Sequence, residues 1–112
     1  MSSHRRRRRF ARPPRDLDPA QRRKALQLCR QVAQALHLAL AGCGDPVLND
    51  LLVVDVRALP DSTRLRVAVQ SATGASSAAA LARLRQAAGL LRREVAAAIH
   101  RRRTPELVFE VV

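Results

Sequence analysis

The apolar positions of this chain follow two different periods, and the switches between them mark its elements. Between residues 26 and 40 they recur at Leu26, Cys29, Ala33, Leu36 and Leu40, with Leu28 and Val32 widening the stripe. That repeat predicts an amphipathic helix. Asp18 is a good N-cap, Pro19 suits the first helical position, and Gln21 stands at capping-box spacing, so the helix is predicted to start there. Gly42 and Gly44 supply its stop, and Asp45-Pro46 begins a turn.

The period then changes to two. Leu52, Val54, Val56 and Ala58 alternate with Val53, Asp55 and Arg57, which predicts a strand that buries the first set. Pro60-Asp61-Ser62 turns the chain, after which Leu65, Val67 and Val69 alternate with Arg64, Arg66, Ala68 and Gln70. So short a connection makes an antiparallel hairpin the natural pairing. The hydroxyl-rich stretch Ser71 to Ser77 lacks the Lys and the spacing of a phosphate-binding loop, and reads as a linker with a helix cap. Helical spacing returns at Leu81, Leu84 and Ala88, and again at Leu91, Val95, Ala98 and Ile99. Gly89 lies between the two halves, where Gly costs about 1 kcal/mol against Ala in an unbroken helix. Ala87-Ala88-Gly89 is therefore predicted to kink the chain into two helices, packing around a small residue being the alternative. Thr104-Pro105 is expected to end the second helix, and Leu107, Phe109 and Val111 form a last alternating strand. The order helix, strand, strand, helix, helix, strand predicts an α+β domain with a three-stranded sheet and a kinked helix pair.

Composition narrows what such a domain can do. The chain has 112 residues, room for one small domain, and a formal net charge of +12. Its aromatic residues are Phe10 and Phe109 alone, so it cannot build the base-stacking platform of RRM or OB domains. At 47 % hydrophobic it can still form a core. The charge is concentrated in two places. Residues 1–15 carry seven arginines and no acid, and residues 83–103 carry seven arginines with Glu94 as their one acid. The first block has two prolines and no apolar period, so it is expected to be a disordered arm preceding a domain over 16–112. Arg-rich and followed by Asp16 and Asp18, it does not read as a secretory signal, and Pro13-Pro14 spoils the amphipathic helix of a mitochondrial presequence. No apolar run is long enough to span a membrane. Cys29 and Cys43 have neither metal-ligand nor redox-motif spacing; the first reads as a small core residue, the second as a loop thiol. A cytoplasmic, monomeric protein without cofactor or metal is expected.

The candidate site is the late arginine cluster: Arg83, Arg85, Arg92, Arg93, Arg101, Arg102 and Arg103. On the second half of the kinked pair, Arg93, Ala97, His100 and Arg101 would fall along one helix side. A solvated helix face is the plainer explanation of such a run. The near absence of compensating acids favours a polyanion instead, since Arg can grip phosphates bidentately. Arg22, Arg23 and Lys24 sit where the helix dipole disfavours cations, so stability does not explain them, and they extend the proposed footprint. His37, His100, Asp55 and Asp61 form no nucleophile, base and orienting group, so no enzyme is expected.

Three stretches resemble the ribosome-binding factor A family. They are Asp45-Pro46-Val47-Leu48, then Val53-Val54-Asp55-Val56 running to Leu59-Pro60-Asp61, and above all the run from Leu84 through Ala87-Ala88-Gly89-Leu90-Leu91-Arg92-Arg93-Glu94, with Arg102-Arg103-Thr104-Pro105-Glu106-Leu107-Val108-Phe109 behind it. The likeness covers roughly residues 19–112. It implies a type II KH fold in which an Ala-x-Gly kink, here Ala87 and Gly89, replaces the GxxG loop. It further implies binding to the small (30S) ribosomal subunit and its 16S rRNA, a part in late processing of the 16S rRNA 5′ region, and importance in the cold. Two departures stand out: Ala68 occupies a place where the family often has Tyr, and the arginine arm is heavier than the family pattern. A general KH-type nucleic-acid binder acting off the ribosome is the alternative, and a membrane-surface module is disfavoured because the arginine helices lack an apolar interfacial face. Removal of residues 1–15 is expected to weaken RNA binding while leaving the thermal unfolding midpoint unchanged; a large fall in that midpoint would contradict the arm assignment.

Overall fold

The computed structural model describes residues 18–60 and 63–112. The arm expected over residues 1–15 lies outside the described residues, as do Asp61 and Ser62 of the hairpin turn. Helix α1 spans Pro19–Gly42 and starts as its sequence predicts: the extended Asp18 accepts the Gln21 N–H at 2.8 Å, with Pro19 inside the first turn. Its buried stripe is Leu28, Cys29, Val32, Ala35, Leu36 and Leu40. Leu26, placed at the head of the expected stripe, is instead 58 % exposed. The reason is that α1 packs against two neighbours at once, strand and helix, which centres its contact face on the row through Leu28, Val32, Leu36 and Leu40. Gly44, at φ +75°, makes the reversal after the helix, a backbone conformation that a Cβ would strain. A one-turn helix, α2 (Pro46–Asn49), follows where a simple turn was expected. Asp45 caps it, its Oδ1 accepting the N–H groups of Val47 at 2.9 Å and Leu48 at 3.4 Å.

Strands β1 (Leu51–Ala58) and β2 (Arg64–Ser71) pair antiparallel, and β3 (Glu106–Val111) joins β2 in parallel, giving the order β1-β2-β3. The parallel pairing requires the two helices between β2 and β3 as its crossover. Strand β2 buries Leu65, Val67 and Val69 as its alternation predicts. Strand β1 does not follow its alternation. Val53 pairs with Val69 but Asp55 pairs with Ala68, so Val54 is an extra residue in a β-bulge. The bulge shifts the face that meets the core. Leu51 and Val53 point inward before it and Val56 after it, whereas Leu52, Val54 and Ala58 lie exposed. Of the predicted buried set only Val56 packs on the core.

Helix α3 (Ser77–Gln86) is capped by Ser76, whose hydroxyl accepts the Ala79 N–H at 3.3 Å; helix α4 (Ala88–Ile99) follows after a break at Ala87. They bury Ala80 and Leu84, then Leu91, Val95 and Ile99, while Ala88 and Ala98 are exposed. The hydroxyls of the 71–77 linker pin it to the head of β1. Ser71 and Thr73 both donate to Asp50, Thr73 at 3.0 Å, and Ser71 Oγ accepts the Ala75 N–H at 2.8 Å. Helix α4 ends at Ile99, well before the expected stop at Thr104-Pro105. His100 takes up the left-handed conformation (φ 46°, ψ 46°) and turns the chain out of the helix. Helix α1 lies over β1, α4 packs along α1, and α3 covers β3, so all three long helices share one core with one sheet face. On thermodynamic grounds Leu84→Ala, at a position with no exposed surface, should cost about 2–5 kcal/mol in urea unfolding, and Leu26→Ser less than about 0.5 kcal/mol.

Candidate nucleic-acid interface

The seven arginines of 83–103 do not form one continuous face. Arg83 stays at the end of the molecule where β1 begins: its Nη1 lies 3.6 Å from Asp45 Oδ2 and 3.5 Å from Gln86 Oε1. Arg85 is exposed on the last turn of α3, close to the break. Arg93 runs back along its own helix, its Nη1 4.0 Å from the place a Cβ on Gly89 would occupy. Arg92, one position earlier and about 100° round the helix, points elsewhere.

Arg92 meets Arg101, Arg102 and Arg103 around a single cleft of about 860 Å³, together with Thr63, Thr104, Pro105 and Glu106. The fold makes this convergence in two steps. The left-handed turn at His100 takes Arg101 off the helix, contrary to the helical alignment expected of Arg93, Ala97, His100 and Arg101. The chain then runs into β3, whose Glu106 N–H donates to the Thr63 carbonyl at 3.0 Å, and so holds the arginine loop against the β1–β2 turn. Among the described residues Glu106 is the one acid lining the cleft. The four guanidinium groups make the cleft a local concentration of positive charge.

A second cleft of about 570 Å³ adjoins it and shares Arg101. Here Lys24 stands with Gln21, Gln27 and Gln31 of α1 above a floor that includes Leu28 and Leu65. Arg22 and Arg23 are exposed on the first turns of α1 but do not line this cleft. Sequence reasoning had no reason to choose Thr63 or the glutamines; the available signal was that Gln21, Lys24, Leu28 and Gln31 share one helix face. The open face of the sheet contrasts with this end. Arg57 Nε pairs with Asp55 at 2.6 Å and Arg66 Nε with Glu110 at 3.3 Å, so its charges are largely matched.

The remaining chemistry is sparse. Among the described residues no group of His, Cys, Asp and Glu is placed to hold a metal ion, and no helix is long and apolar enough to cross a membrane. Cys29 is buried, and desolvation pushes its thiol above the ordinary range, which keeps it protonated as a core residue. Cys43 is half-buried and donates to the Leu40 carbonyl at 3.3 Å. His37 and His100 are both exposed.

A three-stranded sheet with its helices on one face, a broken helix pair crossing to a parallel last strand, and a basic cleft at one end define a small α+β protein of KH-like architecture. The comparison with known families is specific: the chain belongs to the ribosome-binding factor A family, which matches residues 20–111. Among solved structures it is similar to the crystal structure of ribosome-binding factor A from Thermus thermophilus, with a TM-score of 0.69 and 30 % sequence identity over 78 % of this chain and 94 % of that one. No curated protein matches the chain.

The kink now has a geometry. The break falls on Ala87, at φ −90° and ψ 1°, and Gly89 lies inside the first turn of α4 without positive φ. Gly89 therefore does not supply the conformational freedom expected of it, and a Cβ there would meet nothing closer than the Arg93 guanidinium at 4.0 Å. Gly89→Ala is expected to stabilise the fold by roughly 0.5–1 kcal/mol, read as a rise in the urea midpoint. A loss of stability would show that the break needs glycine.

Proposed function

We propose that this protein docks on the small ribosomal subunit by gripping the backbone of folded 16S rRNA, and acts there as a non-enzymatic factor of late subunit maturation. The observation that carries the reading is the cleft where Arg92, Arg101, Arg102 and Arg103 converge with Glu106 as the one acid among the described residues. Adjacent guanidinium groups can each take a phosphate through paired N–H···O bonds, and a folded RNA presents phosphates at close spacing. Family membership supports the ribosome as the source of that RNA. The Thermus protein, whose printed name is ribosome-binding factor A, shares the fold over most of its length.

In this reading Arg92 and Arg101 to Arg103 bear the main contact. Lys24, Arg22 and Arg23 extend it along α1, and Arg83, Arg85 and Arg93 extend it toward the break at Ala87. With no aromatic platform, recognition rests on backbone charge and shape rather than base stacking. The matched charges of the open sheet face give it little attraction for a polyanion, so the protein approaches RNA from the arginine end. The proposal includes late processing of the 16S rRNA 5′ region, with loss of the protein felt most in cold growth.

Sedimentation with purified small subunits tests the contact. Wild-type protein should pellet with subunits at low salt, and about six phosphate contacts would weaken binding on the order of 10³-fold between 50 and 200 mM salt. Arg102→Glu with Arg103→Glu should abolish co-sedimentation with the fold intact by circular dichroism. Arg57→Glu with Arg66→Glu, an equal change of charge on the open sheet face, should leave most of it. Equal sensitivity of the two pairs would show that only net charge matters, and equal affinity for unrelated RNA would favour a general nucleic-acid binder.

A further inference from the structure

The cleft beside the arginine loop has a chemistry that phosphate binding does not use. Its walls carry three primary amides, Gln21, Gln27 and Gln31, all exposed on α1, and its apolar surface comes from Ala25 and Ala58, with the buried Leu28 and Leu65 beneath them. At about 570 Å³ it falls within the size range of small-molecule sites. A glutamine amide offers one acceptor and a donor side by side, the arrangement that pairs with the edge of a nucleobase, adenine best of all. An apolar surface suits the face of such a base at a cleft whose lining, among the described residues, carries no aromatic ring. Arg101 lines both this cleft and the arginine cleft, so a phosphate seated on its guanidinium stands at the mouth of the amide-lined space.

We propose that this cleft takes one unpaired nucleotide of the bound RNA, its base between the α1 glutamines and its phosphate on Arg101. The proposal rests on the arginine cleft being a phosphate site, and it adds a base contact to a recognition otherwise made of charge and shape. The base enters from single-stranded RNA, because the deep, narrow major groove of a paired RNA helix keeps the N6/N7 edge of adenine out of reach of a protein amide. Lys24, on the same helix face as Gln21, Leu28 and Gln31, adds a cation to the phosphate side. Base and phosphate are thus read by different groups, which makes them separable by experiment.

Titration of the full chain with adenosine 5′-monophosphate and with ribose 5-phosphate, followed by NMR at low salt, separates them. The nucleotide is expected to shift the side-chain amide signals of Gln27 and Gln31 and to bind about tenfold more tightly than ribose 5-phosphate, within the range of one paired base contact. Gln27→Ala with Gln31→Ala, both exposed positions, should bring the two affinities together while ribose 5-phosphate binding stays as it was. Equal affinities in the wild-type protein, or glutamine amides that do not move, would overturn the nucleotide site. Ribose 5-phosphate shifting the Arg101 to Arg103 backbone while the glutamines stay still would leave the phosphate reading intact and remove only this one. Failure to sediment with ribosomal subunits, with nucleotide binding retained, would do the reverse.

Discussion

Everything in this molecule leans on one aliphatic contact, in which Leu36 and Leu40 of α1, Leu84 of α3, and Leu91 and Val95 of α4 close over Leu65, Val67 and Val69 of the central strand. None of these side chains keeps more than a trace of exposed surface, and no polar or charged residue is buried among the described residues. With no aromatic ring in the fully buried set, branched aliphatic side chains must fill the space at close-packed density. Each contributes roughly 1.5–3 kcal/mol by leaving water. The break at Ala87 serves this contact: it lets α3 lie on β3 and α4 on α1 while both still deliver a leucine to the same core.

A core confined to one sheet face leaves the rest of the surface free for charge, and the fold distributes that charge unevenly. On the open face, Asp55 and Glu110 answer Arg57 and Arg66 across short distances. At the end where β1 begins, Asp45 both caps α2 through one carboxylate oxygen and holds Arg83 with the other. At the opposite end the balance differs: among the described residues, four arginines crowd one cleft with Glu106 as the one acid beside them. Such crowding contributes nothing to stability, because like charges repel even when salt screens them. It is this arrangement, from which the fold gains nothing, that the proposed RNA contact would complete with the missing negative charge.

Much of this architecture is legible residue by residue, and the failures have physical causes. Asp18, Pro19 and Gln21 announce the start of α1 because capping involves only neighbours in the chain. The alternation of β2 holds because that strand is central, paired on both sides. Strand β1 reads equally well as an alternating strand, yet an edge strand can carry an extra residue, and the bulge at Val54 reverses which side chains meet the core. The end of α4 is misplaced for a similar reason. Pro105 is a visible breaker, but the left-handed turn at His100 comes first, and His, though enriched among left-handed residues, adopts that conformation too rarely for residue type alone to mark it.

By itself the sequence determined the order of the long helices and strands, the start of α1, the buried set of β2 and the core-facing set of β3, and the presence of two arginine blocks. These follow from local periods, local capping and simple counts, none of which needs the chain to be folded. Only the tertiary structure decided which arginines share a cleft. Arg92 and Arg93 are neighbours in sequence and point apart, whereas Arg92 and Arg103 meet because the chain reverses at His100 and is held by the Glu106 to Thr63 hydrogen bond. Spacing along a chain reports angle around one helix. Convergence across a reversal depends on where the helix stops and what the next strand pairs with, and both are settled by packing.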